Sequence, residues 1–419
     1  MSASKLLTVA FCSLAFLVLS RAPAAATFPA SGGGEAVAAS LKDKVLGTTV
    51  ANLGPLAPVF VCTAEVPGSE SNSVLSLNSA PYVLSGTAVD TISTSRSTNG
   101  AAIQSKSVIQ NVNLLSGVIQ AAALKAVANS NATLAGGAKS TATGTSFLGL
   151  VVNGVAYGET PAPNTMVPLP GIGYVVINEQ ITSAPTNKTI TNLTVNMLHV
   201  VVSSSNSLGI PVGASLIVGH AYSHLTLTAL PFDVFSSSFG FLSKDNEGST
   251  VETSGPFAPA TICGQGSTGI DTSSGTSPFG TFGVMVDTAA GSIETSAING
   301  MATSKVATTN ILGGLITAGL LESVATVTYN GAPSATGSST FANLTVLGLP
   351  IGGSPPANTN IDLPGIGYIM LNEQNSTITS TSVEEDVVAM HVYITLPNPL
   401  LPVGSDLVVG SAKSLIRSY

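Results

Sequence analysis

Four histidines, three cysteines and a thin scatter of carboxylates carry nearly all the reactive chemistry in 419 residues. His199 and His391 sit in matching phrases, "MLHV" and "AMHV". An imidazole there could ligate a metal or act as a general base. Its strand neighbours are apolar, however. The alternation in "TNLTVNMLHVVV" puts Leu193, Val195, Met197, His199 and Val201 on one face. The expected role is therefore a core histidine with hydrogen-bonded ring nitrogens, near Tyr174 or, in the second phrase, Tyr368.

Glu179 and Glu373 belong to twin "NEQ" triplets. Two carboxylates close together can divide acid and base roles. Each half offers only one, so the expectation is strand-end capping or bonding to turn amides. Asp90 and Asp287, in two "VDT" triplets, receive the same reading. His220 and His224 in "GHAYSHL" are the weak metal candidates. Four residues along a strand separates them by about 13 Å. The matching stretch of the second half has Ser411 and Lys413-Ser414 instead. "GQGSTG" at 264–269 satisfies G-x-G-x-x-G, but "IDTSSGTSPFG" follows where a helix must begin, so it reads as a loop. No G-x-S-x-G, H-E-x-x-H, C-x-x-C or EF-hand pattern occurs. No catalytic residue and no cofactor are expected, and the chain does not read as an enzyme.

The elements that must position these residues come in two copies. "LPGIGYVVINEQ" at 169–180 returns as "LPGIGYIMLNEQ" at 363–374, with nine of twelve letters identical. Gly171 and Gly365 supply the bend after proline, and Tyr174 and Tyr368 open the strand that follows. "GPLAPVFVC" matches "GPFAPATIC", "NLLSGVIQA" matches "NILGGLITA", and "PVGASLIVGHA" matches "PVGSDLVVGSA", all in the same order. The offset drifts only from 263 − 62 = 201 to 402 − 211 = 191. Two copies of one unit follow, at 28–229 and 230–419, with the polar stretch "SSSFGFLSKDNEGSTVETS" around the joint. Short Val, Ile, Thr and Tyr runs between Gly, Pro, Asn and Ser clusters read as strands. "VIQAAALKAVANSN" comes nearest to a helix, but its counterpart "LITAGLLESVATVTYN" reads as strand. The expected fold is all-β, two tandem β-sandwiches, with a barrel or irregular β-roll as the other possibility.

"MSASK", the apolar run 6–19 and "APAAA" form an export signal over 1–26, with A-x-A cleavage sites ending at Ala24 or Ala26. Removing it takes Lys5 and Arg21, shifting the net charge from −8 to −10, and leaves no transmembrane segment in the mature chain. Mild acidity with few charges argues against nucleic acid as a partner. Of the cysteines only Cys62 and Cys263 remain, at the same place in each copy. Outside the cell they could pair if their Cα atoms came within about 7 Å. Their apolar surroundings, "FVC" and "TIC", favour two separate buried thiols. Five N-x-S/T sequons, at Asn131, Asn187, Asn192, Asn343 and Asn375, are near the chance level for this composition.

In order, "NLLSGVIQA", "ATGTSFLGLVVNG", "NTMVPLPGIGYVVINEQ", "LTVNMLHVVV" and "LIVGHA", echoed in the second copy, resemble the choice-of-anchor P family. Those bacterial proteins share an extracellular region joined to varied surface anchors. The resemblance implies an exported, surface-associated protein and carries over no catalytic residue. Because the chain ends "SAKSLIRSY", without a hydrophobic tail, retention is expected to be non-covalent or through a partner. The functional expectation is a secreted structural or adhesion-type protein, with cell-envelope or matrix components or its own copies as partners. The alternative is a secreted enzyme or small-ligand or metal binder. It would hold, in one copy, a polar cluster that the other has lost.

Overall fold

The computed structural model describes residues 28–418 apart from 46–47, 57–58, 63–68, 75–76, 80–82, 86, 183–187, 229–231, 248–249, 258, 265, 273–274, 278, 295 and 399–400. The expected export signal and the sequon Asn187 lie outside the described residues. Four antiparallel sheets form two sandwich-like units, 30–227 and 232–418. In the first unit the main sheet runs Thr165–Leu169, Gly173–Ile181, Ile190–Val202, Ser215–Leu227, Ala30–Val45, Thr48–Leu56, with Val59–Cys62 beside Ala30–Val45. The facing sheet is built around Gly100–Leu114 and Ile119–Thr133. The second unit repeats the main-sheet order from Thr359–Leu363 through Gly367–Ile378, Ser382–Ile394, Asp406–Ser418 and Phe232–Glu247 to Thr250–Phe257. In both units the first strand pairs with the last, so each closes on itself. Among the described residues no helix is long and apolar enough to cross a membrane.

Each unit buries its own apolar interior. One core gathers Ile109, Leu124, Val175 and Val218, and the other gathers Val306, Leu321, Ile369 and Val409. From Ile119 on, the segment "VIQAAALKAVANSN" lies in strand Ile119–Thr133, as its counterpart implied. The "LLSG" and "ILGG" tips are short 3-10 turns between long hairpin strands. Two local readings change. The polar stretch assigned to the joint begins inside strand Phe232–Glu247, because its serines alternate inward against the facing sheet. Most of "GQGSTG" lies in strand Gly266–Thr272, because its backbone finds a ladder partner in Met285–Ile293.

The repeated phrase is a hairpin, closed by Leu169 opposite Gly173 and by Leu363 opposite Gly367. Gly171 and Gly365 have φ of 73° and 76° with open space around them. Gly173 is limited by space: a Cβ there would lie 2.0 Å from the Val201 carbonyl oxygen. The strand that follows does not keep one alternation to its end. Across the row Asn178, Met197 and Gly219 the ladder register holds, but side-chain parity reverses. Asn178 and Gly219 have φ of 53° and 70°, and Asn372 and Gly410 repeat this at 51° and 66°. Leu193 and Val195 face the core on one side of the row, and Leu198, Val200 and Val202 on the other. His199 and Val201 consequently face outward, which overturns the core position expected for His199.

Asp90 and Asp287 do not cap strand ends. Both are fully buried in mid-strand, opposite Ser107 and Ser304. Burial pushes Asp90 up to about 7, with Ser107 and the Ala38 backbone close enough to relieve it only in part. Burial likewise pushes Asp287 up to about 8, relieved in part by Ser304. Nearby hydroxyls bridge the sheets: Ser130 and Ser223 are 2.8 Å apart, and the Ser236 hydroxyl donates to the Ala290 carbonyl at 3.0 Å.

Two predictions follow from these positions. Gly171→Ala should cost about 1 kcal/mol for its backbone angle. Gly173→Ala should cost several-fold more, because backbone must move; denaturant titration of both variants compares them directly. The aspartates set a pH trend. Between roughly pH 4 and the folded values, the unfolded chain has released these protons and the folded chain keeps them. The unfolded state then binds fewer protons, so stability falls as pH rises, by at most about 1.4 kcal/mol per pH unit for each carboxyl, and levels off above them. The melting temperature should be higher at pH 5 than at pH 8.5, and Asp90→Asn with Asp287→Asn should flatten the slope. An unchanged slope in the double variant would contradict the assignment.

Candidate functional site

Two places bring the chemistry-bearing residues together. The first is a chain of hydrogen bonds on the outer face of the first unit's main sheet. The parity reversal places Glu179, Asn196 and His220 in one row and His199 in the next outward row. Ser215 and His199 Nε2 are 2.9 Å apart, and His199 Nδ1 lies 3.0 Å from the Glu179 carboxylate. Asn196 Nδ2 donates to the same carboxylate at 2.6 Å. Its Oδ1 therefore accepts from His220 Nδ1, at 2.7 Å. Glu179 thus bonds side chains rather than turn amides, and His199 is partnered by Glu179 and Ser215 rather than Tyr174.

A hydroxyl, an imidazole and a carboxylate in this sequence could make a base-activated nucleophile. The second unit keeps only part of it. His391 Nδ1 meets Glu373 at 2.7 Å, and Asp406 stands in place of Ser215, 3.3 Å from Nε2. Tyr393 donates to Glu373 at 2.9 Å and stacks on Tyr368, with centroids 4.7 Å apart. Burial alone would lower His391, yet the flanking Asp406 and Glu373 raise it. The His391 hydrogen bond holds Glu373 below its ordinary value against the opposing effect of burial. What recurs is the histidine–glutamate clamp between strands, without the nucleophile. None of Ser215, His199 and Glu179 lines the cleft described next.

The second place is the joint between the units. Cys62 and Cys263 form a disulfide with Cα atoms 5.4 Å apart, correcting the expectation of separate thiols. The units meet face to face through equivalent strands, not end to end. Cys62 Sγ lies 3.8 Å from the Ile262 carbonyl and Cys263 Sγ 3.9 Å from the Val61 carbonyl, a reciprocal pattern. Gly33, opposite Cys62, leaves room: a Cβ there would fall 2.2 Å from Cys263 Sγ. Beside the disulfide, Arg96 pairs with Asp233 at 2.7 Å, with side chains 8% and 1% exposed. Arg96 also donates to the Ala30 carbonyl. This buried ion pair has no counterpart, since Ser31 and Ile293 occupy the equivalent positions.

A cleft of about 530 Å³ opens here between the outer face of the first unit's main sheet and strands Ala260–Cys263 and Gly266–Thr272 of the second. Glu35, His220, Tyr222 and His224 line one wall, and Thr261 and Thr268 the other. Burial, with the Glu35 charge, pushes Tyr222 up to about 12, so its hydroxyl keeps its proton. Burial lowers His224, opposed only in part by the Cys263 and Gly33 backbone. His224 Nε2 donates to the Cys263 carbonyl at 2.8 Å, and its ring stacks on Tyr222 at 5.5 Å. The two weak metal candidates thus share the cleft wall, each with one ring nitrogen committed elsewhere. Among the described residues no three His, Cys, Asp or Glu side chains converge on a possible metal position.

Histidines 220 and 224 were visible in the sequence. Glu35 and Tyr222 were not, because they become neighbours only when the first strand pairs with the last, Glu35 opposite Tyr222. Arg96 and Asp233 gave no signal, since neither belongs to a repeated phrase.

No family model matches the chain. No curated protein matches it in sequence. A search of solved structures returns Pseudomonas aeruginosa OccK9 (OpdG) at 10% identity over 93% of this chain and 97% of that one, with a TM-score of 0.11, which carries no argument about fold or activity.

Proposed function

We propose that the protein is an exported, non-enzymatic display module, a rigid pair of β-sandwiches held at the outside of the cell for adhesion or assembly. The observation that carries this reading is the disulfide between Cys62 and Cys263. Outside the expected leader these are the chain's only cysteines, they occupy the same place in both copies, and such bridges persist in oxidising compartments. The apolar leader run supports export, and the resemblance of the repeated phrases to the choice-of-anchor P family supports a surface location. The pairing of the histidines with glutamates supports a structural role for the repeated polar residues.

Fractionation of the host cells, with thiols counted under denaturing conditions, tests this. The protein should be found outside the cytoplasm, begin near residue 27 and contain no free thiol. A cytoplasmic protein with two titratable thiols would overturn the reading. Replacing both cysteines by alanine should lower stability by about 2–4 kcal/mol in denaturant titration, because the bridge closes a separation of 201 residues.

A further inference from the structure

The joint cleft is made of unlike halves, and its chemistry belongs to one copy. Where the first unit has Glu35, His220, Tyr222 and His224, the second has Ser237, Ser411, Lys413 and Leu415 at the equivalent ladder positions. In the second unit Lys413 pairs with Glu384 at 2.8 Å, so that face carries charge pairs. The first unit's face instead presents hydrogen-bonding side chains, an aromatic ring and one carboxylate. The Asn196 amide is oriented by Glu179 and holds His220 Nδ1–H, so in the neutral ring Nε2 keeps its lone pair and has no partner. His224 donates from Nε2 to the Cys263 carbonyl, and its Nδ1 is buried, so this residue offers the cleft the face of its ring. Tyr222 supplies a protonated hydroxyl and an aromatic surface, Glu35 a carboxylate, and Thr194, Thr261 and Thr268 hydroxyls.

We infer that this cleft binds a neutral saccharide. The volume lies in the usual range of ligand sites, about 300–1,000 Å³. No lysine or arginine lines it, so an anionic ligand would face Glu35 without a counter-charge. Its apolar contribution is too small and divided for a lipid chain, consisting mainly of Ile190, Ile262 and the Tyr222–His224 stack. A sugar ring presents what remains: hydroxyls that both donate and accept, and C–H faces that pack on an aromatic ring. The disulfide and the Arg96–Asp233 pair hold the walls at fixed separation, so little ordering cost falls on binding. The inference rests on the display-module reading and supplies the chemistry of what the module would hold.

The test is calorimetric titration of the full mature chain, disulfide intact, with maltotetraose, cellotetraose and N-acetylchitotetraose, and with tetragalacturonate as the anionic counterpart. One neutral tetrasaccharide should bind at one site per chain. Tyr222→Ala and Thr268→Trp should each weaken it at least about tenfold. Tyr393→Phe, on the second unit's outer face, should leave it unchanged, with melting curves confirming that all three variants fold. Absence of binding by all three neutral sugars overturns the inference. So does equal or tighter binding of tetragalacturonate, or binding that survives both cleft variants. Because purified protein is used, this result is independent of where the host places the chain, and either experiment can fail alone.

Discussion

One transverse row of the main sheet, Asn178–Met197–Gly219, decides which side chains reach water. Without it, strict alternation would send His199 into the interior with Leu193 and Val195. Asn178 and Gly219 adopt the left-handed backbone region, which asparagine tolerates and glycine enters freely. Glycine is also demanded by space, since a Cβ at 219 would come within 2.7 Å of Met197 Cγ. Because the reversal is shared across three neighbouring strands, the ladder keeps its register and the sheet stays continuous. The second unit repeats the device at Asn372 and Gly410. Both the outward histidine–glutamate clamps and the His220 wall of the cleft depend on this reversal.

The joint between the units follows a different logic. Its disulfide relates equivalent residues and fits an approximately two-fold arrangement, but the groups around it do not. Arg96 and Asp233 form a nearly water-free ion pair that crosses from one unit to the other in a single direction. Such a pair is weak evidence for net stability, since desolvation offsets much of the attraction, but losing one partner strands a buried charge. It therefore acts most strongly against slipped or reversed arrangements of the two units. The cleft lies on the same asymmetric side, with its polar lining drawn mainly from the first copy.

Much of the architecture was legible in the sequence. The paired "LPGIGY" phrases marked hairpins, the offset of about 200 residues marked two units, and the comparison of "VIQAAALKAVANSN" with its counterpart settled strand over helix. What was not legible depended on contacts remote in sequence. The alternation of "TNLTVNMLHVVV" could not announce its own reversal, because the cause lies partly in Asn178 and Gly219 on flanking strands. The aspartates of the "VDT" triplets looked like capping residues until the facing sheet covered them. The cysteines read as separate thiols from their apolar flanks, "FVC" and "TIC", which say nothing of the face-to-face joint that brings their Cα atoms to 5.4 Å.

The two copies agree where the fold is at stake and differ beside the clamp and along the wall of the joint cleft. Turn glycines, left-handed asparagines, buried aspartates with their opposing serines, and histidine–glutamate clamps all survive in both units. The serine beside the clamp does not, being Asp406 in the second unit. Glu35, His220, Tyr222 and His224 are also single-copy features, yet they converge on one wall. Residues retained in both copies at a physical cost, such as a fully buried aspartate, point to the demands of folding. Residues present in only one copy but assembled together point to a task that only one face performs. By that criterion the clamp histidines group with the scaffold residues, and the joint cleft, lined by the single-copy residues, is where the proposed ligand would bind.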